Sequence, residues 1–231
     1  MLPTSAGPTV LDALQTPAAC LFDLDGLLLD TEPLHGRAWA EAAAHFGAQL
    51  SPSQLLELRG RRRQDCASEV DSWLPSAVGN DALLAIQQPI ARKLLPKAPA
   101  MPGAESLIQT CIHRGIPMAL VTSSSRDAVE FKSAPHPWLS SIQERVYGDD
   151  PELNRGKPDP QPFVLAAQRL GSNADQCWAL EDSKAGTTAA LAAGCQVWVL
   201  DLTIEQNVLG RNPCKISTLD VVQNALLRTG D

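Results

Sequence analysis

The sequence predicts an α/β fold, a Rossmann-like parallel sheet core with an inserted α-helical cap domain. Three observations predict it. Short apolar runs recur along the chain, and most are followed by a helical pattern. The long stretch between the first and second runs is helix-like throughout and holds no convincing strand. The 231 residues suffice for one substantial core plus a smaller insert.

Taken in order, the runs that read as buried strands are Cys20 to Phe22, Pro117 to Val121, Arg145 to Tyr147, Cys177 to Leu180 and Gln196 to Leu200. Strands alternating with helices give a mostly parallel sheet covered on both faces, and such sheets bind ligands beyond the carboxyl ends of their strands. The core is expected over residues 1–33 and 99–231, and the helical cap over 34–98. Within the cap, Leu34, Ala38, Ala42, Ala43 and Phe46 fall on one helical stripe. Its exit, Leu95-Pro96-Lys97-Ala98-Pro99-Ala100-Met101-Pro102-Gly103, suits a stiff linker better than a packed element. With the entry around Thr31 to Pro33, two adjacent crossings would make a hinge. Residues 1–17, with Pro3, Ser5, Gly7 and Pro8, read as a poorly ordered leader or a short extra helix.

Composition narrows the partners. A formal charge of -7 without any long Lys/Arg stretch leaves no electrostatic footprint for nucleic acid or an anionic membrane, so a small solute is the expected ligand. The first positive charge is Arg37, which argues against a secretory signal or transit peptide. No apolar run approaches the roughly 20 residues that span a bilayer. The six cysteines, Cys20, Cys66, Cys111, Cys177, Cys195 and Cys214, are scattered without zinc-ligand spacing and read as reduced core residues of a cytoplasmic protein. There are no internal repeats or heptads, and a monomer is expected.

Each likely strand end carries polar residues of a different chemical type. After the first come Asp23-Leu24-Asp25-Gly26, two carboxylates two positions apart and hence at one sheet edge; alone, they would equally suit an ordinary turn. The second ends in Thr122-Ser123-Ser124-Ser125, hydroxyl residues that can donate to an anion near a helix start, and Ser124 or Ser125 can also be a helix N-cap. Next, Arg155-Gly156-Lys157-Pro158-Asp159-Pro160 puts a lysine before a proline-opened helix. It is not a phosphate-cradling P-loop, and by itself the lysine would be an ordinary surface residue. The fourth strand ends in Glu181-Asp182-Ser183; acidic residues suit a helix start, and they also suit a hard cation such as Mg2+, which takes oxygen ligands.

Four such ends on successive strands form a set, and with it the chain resembles the haloacid dehalogenase-like phosphohydrolase superfamily. The motifs occur in that family's order: DxD at Asp23 and Asp25, the hydrophobic strand ending in Thr122, Lys157, and the acidic pair Glu181 and Asp182. The helical insert lies where the family's helical cap sits. The resemblance implies that Asp23 attacks phosphorus to form an aspartyl-phosphate, and that Asp25 protonates the leaving oxygen and later deprotonates water. Thr122, Ser123, Ser124 and Lys157 would hold the phosphoryl oxygens. Magnesium would be held by Asp23, the backbone carbonyl of Asp25 and Asp182, with Glu181 a further ligand or a support behind it.

Within the superfamily the chain looks like the β-phosphoglucomutase and pseudouridine-5'-phosphatase group. The carrying residues are Phe22 to Glu32, Met101 to Glu105, Thr122 to Ser124 and, above all, Gly148-Asp149-Asp150-Pro151-Glu152 leading into Gly156-Lys157-Pro158-Asp159-Pro160. In that group a cap histidine and a basic-Gly-x-x-Arg stretch grip the substrate; His35 and Arg59-Gly60-Arg61-Arg62-Arg63 sit at similar positions, and Arg63 is the preferred contact. The arginines can also be read as a solvated helix start. The expected activity is a Mg2+-dependent phosphatase for small phosphomonoesters, sugar or nucleoside phosphates. The alternatives are a phosphosugar mutase, which would offer the aspartyl-phosphate a sugar hydroxyl in place of water, and a non-catalytic binding protein on the same fold.

Overall fold

The structure is a computed structural model and describes residues 15–200, 210 and 212–229. The expected leader lies almost wholly outside the described residues. The core is one six-stranded sheet, all parallel, formed by β1 (Ala19–Phe22), β2 (Met118–Val121), β3 (Glu144–Val146), β4 (Cys177–Glu181), β5 (Gln196–Val199) and β6 (Cys214–Lys215), in the order β3-β2-β1-β4-β5-β6. Five strands fall on the expected runs to within a residue or so at each end. The sixth is a two-residue edge strand, half-buried and with a lysine in it, so it leaves no apolar run to read.

The four inner strands, β2, β1, β4 and β5, are near-continuous apolar runs because both faces are covered, and the edge strands β3 and β6 carry charged residues. Cys20, Phe22, Met118, Leu120, Trp178, Leu180 and Trp198 point to one face. There they pack under helix α5 (Ala104–His113) and helix α9 (Asp220–Arg228), through Leu107, Ile108, Val222 and Leu226. Ala19, Leu21, Ala119, Val121, Cys177, Ala179 and Val197 point to the other face, under α7 (Gln161–Arg169) and α8 (Lys184–Ala193), through Phe163, Ala166, Ala189 and Ala190. The small residues of α8 let it lie close on the sheet. Five of the six cysteines are buried.

Between β1 and β2, four helices form a separate layer: α1 (Glu32–His45), α2 (Pro52–Glu57), α3 (Arg63–Trp73) and α4 (Asn80–Leu94). Ala42 and Ala43 from the expected stripe, with Trp39, join Leu58, Cys66, Ala67, Val70, Leu83 and Leu84 in its core. Helix α1 starts at Glu32 with Pro33 in its first turn, where a missing N–H costs nothing. The exit segment differs from the stiff linker expected. Leu95–Lys97 is a 3-10 turn, and Leu95 is fully buried against Ala38 and Ala91. The segment that suggested a spacer instead begins with a turn that buries its leucine between α1 and α4.

In this strand order, β1 is where the connections change direction: the chain leaves it toward β2 on one side and reaches β4 on the other. The ends of β1, β2 and β4 therefore open onto one crevice, the position at which parallel sheets bind ligands. Helix α6 (Arg126–Ser133) follows β2 along this edge.

Candidate active site

Asp23 follows the last residue of β1, and its backbone N–H donates to Leu180 O at 3.1 Å, so its side chain starts from the sheet itself. Lys157 reaches in from the loop before α7. Its Nζ donates to Asp23 Oδ1 at 2.5 Å, to Glu181 Oε1 at 2.5 Å and to Val121 O at 2.9 Å, three acceptors for three protons. All of these side chains are buried, at 4% exposure for Asp23 and Lys157 and 0% for Glu181. Glu181 is the last residue of β4, and its second oxygen accepts from the Ser183 hydroxyl at 3.1 Å. Ser183 in turn caps α8 by accepting from the Gly186 N–H at 3.0 Å.

Asp23, Glu181 and Asp182 offer oxygens within 4.8 Å of one another. The local charge does not balance: three buried carboxylates face one ammonium, and Asp182, 6% exposed, has no hydrogen bond or ion pair among the described residues. The electrostatics follow. Burial pushes the Asp23 carboxyl up to about 8, with the Lys157 charge opposing and Glu181 and Asp25 adding to the rise. Burial and the neighbouring Asp23, Glu32 and Glu181 charges push Asp182 well above the usual carboxylate range. Such a group of hard oxygens with an excess of negative charge suits a divalent cation. Glycines make the room. A Cβ on Gly26, which has φ +83°, would lie 2.0 Å from Asp182 Oδ2, and one on Gly186 would lie 2.0 Å from Glu181 Oε1.

Asp25 points into a second set of contacts. Its Oδ1 accepts from the Thr31 hydroxyl at 2.6 Å and lies 3.2 Å from His35 Nε2, and its Oδ2 accepts from the Ser124 hydroxyl at 2.9 Å. Lys132 Nζ is 2.6 Å from both oxygens. Burial alone would raise the pKa of Asp25, but the Lys132 charge and the bond to His35 outweigh it and hold the carboxyl well below the usual range. The side chain of Asp25 is thus apart from the acidic group at Asp23.

Thr122 is buried after β2, and its hydroxyl accepts from the Ser124 N–H at 3.1 Å. The Ser123 hydroxyl donates across to Gly60 O at 2.8 Å, and Ser125 is the N-cap of α6. Of the two serines that could cap, Ser125 does so and Ser124 turns to Asp25. The loop Arg59 to Arg62 of the insert rests on three core loops. Ser123 bonds Gly60; a Cβ on Gly60 would lie 2.1 Å from Ser183 Oγ; and a Cβ on Gly156 would lie 2.8 Å from Arg62 Cδ. Beside this contact lies a partly open cavity of about 390 Å³ lined by Asp23, Asp25, His35, Trp39, Arg63 and Ser124 among others.

The four arginines are not equivalent. Arg59 pairs with Glu32 at 3.2 Å, Arg61 with Glu69 at 2.9 Å and Arg62 with Asp65 at 3.0 Å. Arg63 has no ion-pair partner among the described residues and lines the cavity; burial, then the charge of Arg92, lowers its pKa. The residue missed from the sequence is Lys132, fully buried on α6. A signal existed: it falls on the same helical stripe as Ala128 and Val129, at spacings of four and three, where a lysine has no reason to be unless it has a partner.

Comparison with known proteins shows the family. Residues 17–194 match the haloacid dehalogenase-like hydrolase family. A Drosophila melanogaster protein named "Probable pseudouridine-5'-phosphatase" is 36% identical over 183 residues, covering 77% of this chain and 79% of that protein. The bifunctional riboflavin kinase/FMN phosphatase of Arabidopsis thaliana is 30% identical over 219 residues, 94% of this chain, which spans 55% of that longer protein. The crystal structure of CbbY from Rhodobacter sphaeroides in complex with phosphate superposes with a TM-score of 0.73 at 25% identity, covering 87% of this chain and 94% of that one. No helix among the described residues is long and apolar enough to cross a membrane. With the acidic group, its buried lysine and the hydroxyl residues gathered at one sheet edge, the chain belongs to the haloacid dehalogenase-like hydrolase family, as an enzyme of its phosphatase type.

Proposed function

We propose that the chain is a Mg2+-dependent phosphatase of small phosphomonoesters, sugar or nucleoside phosphates, acting through an aspartyl-phosphate on Asp23. The observation that carries this reading is the imbalance at the sheet edge: Asp23, Glu181 and Asp182, all buried, against Lys157 alone among the described residues. Asp23, Asp182 and the backbone carbonyl of Asp25 would hold the cation, and Glu181, whose oxygens are taken by Lys157 and Ser183, would support it from behind. When bound, Mg2+ supplies the positive charge that lets a carboxylate approach a phosphate dianion.

The remaining steps belong to the chain's own residues. Asp23 Oδ attacks phosphorus while the bond to the leaving oxygen breaks, and Lys157 holds Asp23 in place and balances charge on the transferring group. Thr122, Ser123 and Ser124, which follow β2, would bind the phosphoryl oxygens. Asp25, ionised in this structure, would take up a proton from solvent before the step, give it to the leaving oxygen and then take one from the water that hydrolyses the aspartyl-phosphate. The insert over residues 34–98 acts as a cap on the core of residues 1–33 and 99–231, and Arg63 and His35 meet the leaving group inside the cavity. Relatives named as phosphatases support hydrolysis over phosphosugar mutation. The acidic charge and the buried free cysteines support a cytoplasmic enzyme acting on a metabolite, and we take it to be a monomer.

The test is phosphate release by the purified protein from a panel of small phosphomonoesters with Mg2+, beside Asp23→Asn. Turnover of one or a few esters, abolished by D23N, supports the reading. Conversion of β-glucose 1-phosphate to glucose 6-phosphate without phosphate release would replace it with the mutase, and silence in both assays would return the chain to the binding proteins.

A further inference from the structure

The strongest feature that none of the sequence motifs contains is Lys132. It lies near the end of α6 and has no solvent exposure. An ammonium in such a place is costly unless every proton finds an acceptor. Here the acceptors are Asp25 Oδ1 and Oδ2, both at 2.6 Å, and Ser124 Oγ at 2.8 Å. Ser124 donates onward to Asp25 Oδ2 at 2.9 Å, which closes a triangle of lysine, serine and carboxylate.

The other groups on Asp25 each touch one oxygen. Thr31 and His35 belong to the start of the helical insert and reach Oδ1, and Ser124 belongs to the loop after β2 and reaches Oδ2. His35 is 23% exposed. Among the described residues Lys132 alone spans both oxygens, and it does so from α6 in the core, a helix that itself packs on the insert through Phe131. A carboxylate held at both oxygens cannot rotate about its terminal torsion, which is otherwise broad. A group placed this way fixes geometry, and a displacement of about 1 Å in a reacting group can cost about a hundredfold in rate.

We propose that Lys132 is a positioning residue of the hydrolase: it fixes the orientation of the Asp25 carboxyl, through which the proton reaches the ester's leaving oxygen. Asp25, an ionised acceptor in this structure, first takes up a proton from solvent. In the step itself the Asp25 O–H bond breaks, a new O–H bond forms on the leaving oxygen and the P–O bond breaks, which returns Asp25 to the carboxylate that Lys132 holds; Lys132 keeps its protons throughout. The inference rests on the role assigned to Asp25 in the proposed reaction. It also accounts for a fully buried lysine on the apolar stripe of α6.

The experiment compares two esters that differ in their need for that proton. One is an alkyl phosphate, taking whichever of glycerol 3-phosphate, fructose 1-phosphate and β-glucose 1-phosphate is turned over fastest; the other is 4-nitrophenyl phosphate, whose leaving group departs as a stable anion. The reading is the ratio of kcat/KM on the two esters within one preparation with Mg2+, so a reduced folded fraction cancels. Lys132→Met and Lys132→Gln are measured beside Asp25→Asn and Asp23→Asn. K132M is expected to lose at least about tenfold more on the alkyl ester than on the aryl ester, as D25N does, with K132Q between K132M and the parent, and D23N losing both alike. An even loss in K132M and K132Q beside a skewed loss in D25N would overturn the role of Lys132 alone. An even loss in D25N would overturn the role of Asp25 itself, and the inference with it.

Discussion

The carboxylate of Asp182 fills the space beside Gly26 where any other residue would carry its side chain: a Cβ there would lie 2.0 Å from Oδ2. Gly26 also has φ +83°, a conformation that L side chains rarely adopt. The glycine that follows the paired aspartates is thus a requirement of the acidic group as much as of the turn.

Gly26→Ala is therefore expected to push Asp182 away from Asp23. The Mg2+ concentration for half-maximal activity should rise by about 10–100-fold, the range seen when groups supporting a metal ligand are disturbed, with a destabilisation of about 1–3 kcal/mol from the strained backbone. Mg2+ titration of phosphate release, beside a thermal melt, checks both. An unchanged Mg2+ requirement would mean that Asp182 is not a ligand.

The crowding of carboxylates sets a pH dependence. Asp23 has an ordinary value of 3.8 when unfolded and about 8 when folded, so between these values the folded state binds more protons. Stability then falls as pH rises. In the presence of a chelator, Asp23→Asn should remove this loss, so that its melting temperature gains on the parent's progressively from about pH 4 to pH 8. Added Mg2+ should stabilise the parent more at the upper end of that range, since it displaces the same protons. A constant offset between D23N and parent across the range would contradict the burial of an ionising Asp23 as the source of the pH dependence.

Closure of the insert depends on another glycine. Gly60→Ala places a methyl 2.1 Å from Ser183 Oγ on the present backbone, at φ +70°. The loop has to lift, which also breaks the bond from Ser123 to Gly60 O. We expect KM for the best ester to rise roughly tenfold, equivalent to about 1.4 kcal/mol of lost binding, with a destabilisation of about 1–3 kcal/mol from the strained backbone, as for Gly26→Ala, while the insert keeps its own core of Trp39, Val70 and Leu83. Steady-state kinetics on G60A and the parent decide it; an unchanged KM would mean that the docked loop does not contribute to binding.

Much of the architecture was legible because the sheet is covered on both faces. Runs such as Met118 to Val121 are apolar at every position, and the carboxyl end of each carries its polar residues within one or two steps. What could not be read locally came from contacts distant in sequence. Strand β6 has no apolar run, since Cys214 and Lys215 sit at a half-buried edge. Leu95 looked like part of a linker because prolines flank it closely, yet it packs on Ala38 and Ala91. Lys132 shows in the sequence only as a lysine on the Ala128 and Val129 stripe, and its partner Asp25 lies 107 residues away in sequence. The arginines of the insert form a similar case: their sequence suggests one basic patch, and only the fold separates Arg63 from three neighbours already paired with Glu32, Glu69 and Asp65.

The central claim is the covalent role of Asp23, and the most direct measurement is to trap it. The enzyme is quenched in acid during turnover of its best ester with Mg2+, treated with borohydride to reduce any acyl phosphate to the alcohol, and mapped by peptide mass spectrometry. The account predicts a reduced side chain at Asp23 and at no other carboxylate, absent without substrate. Steady phosphate release with no modified residue, or with the modification at Asp25 or Asp182, would contradict it.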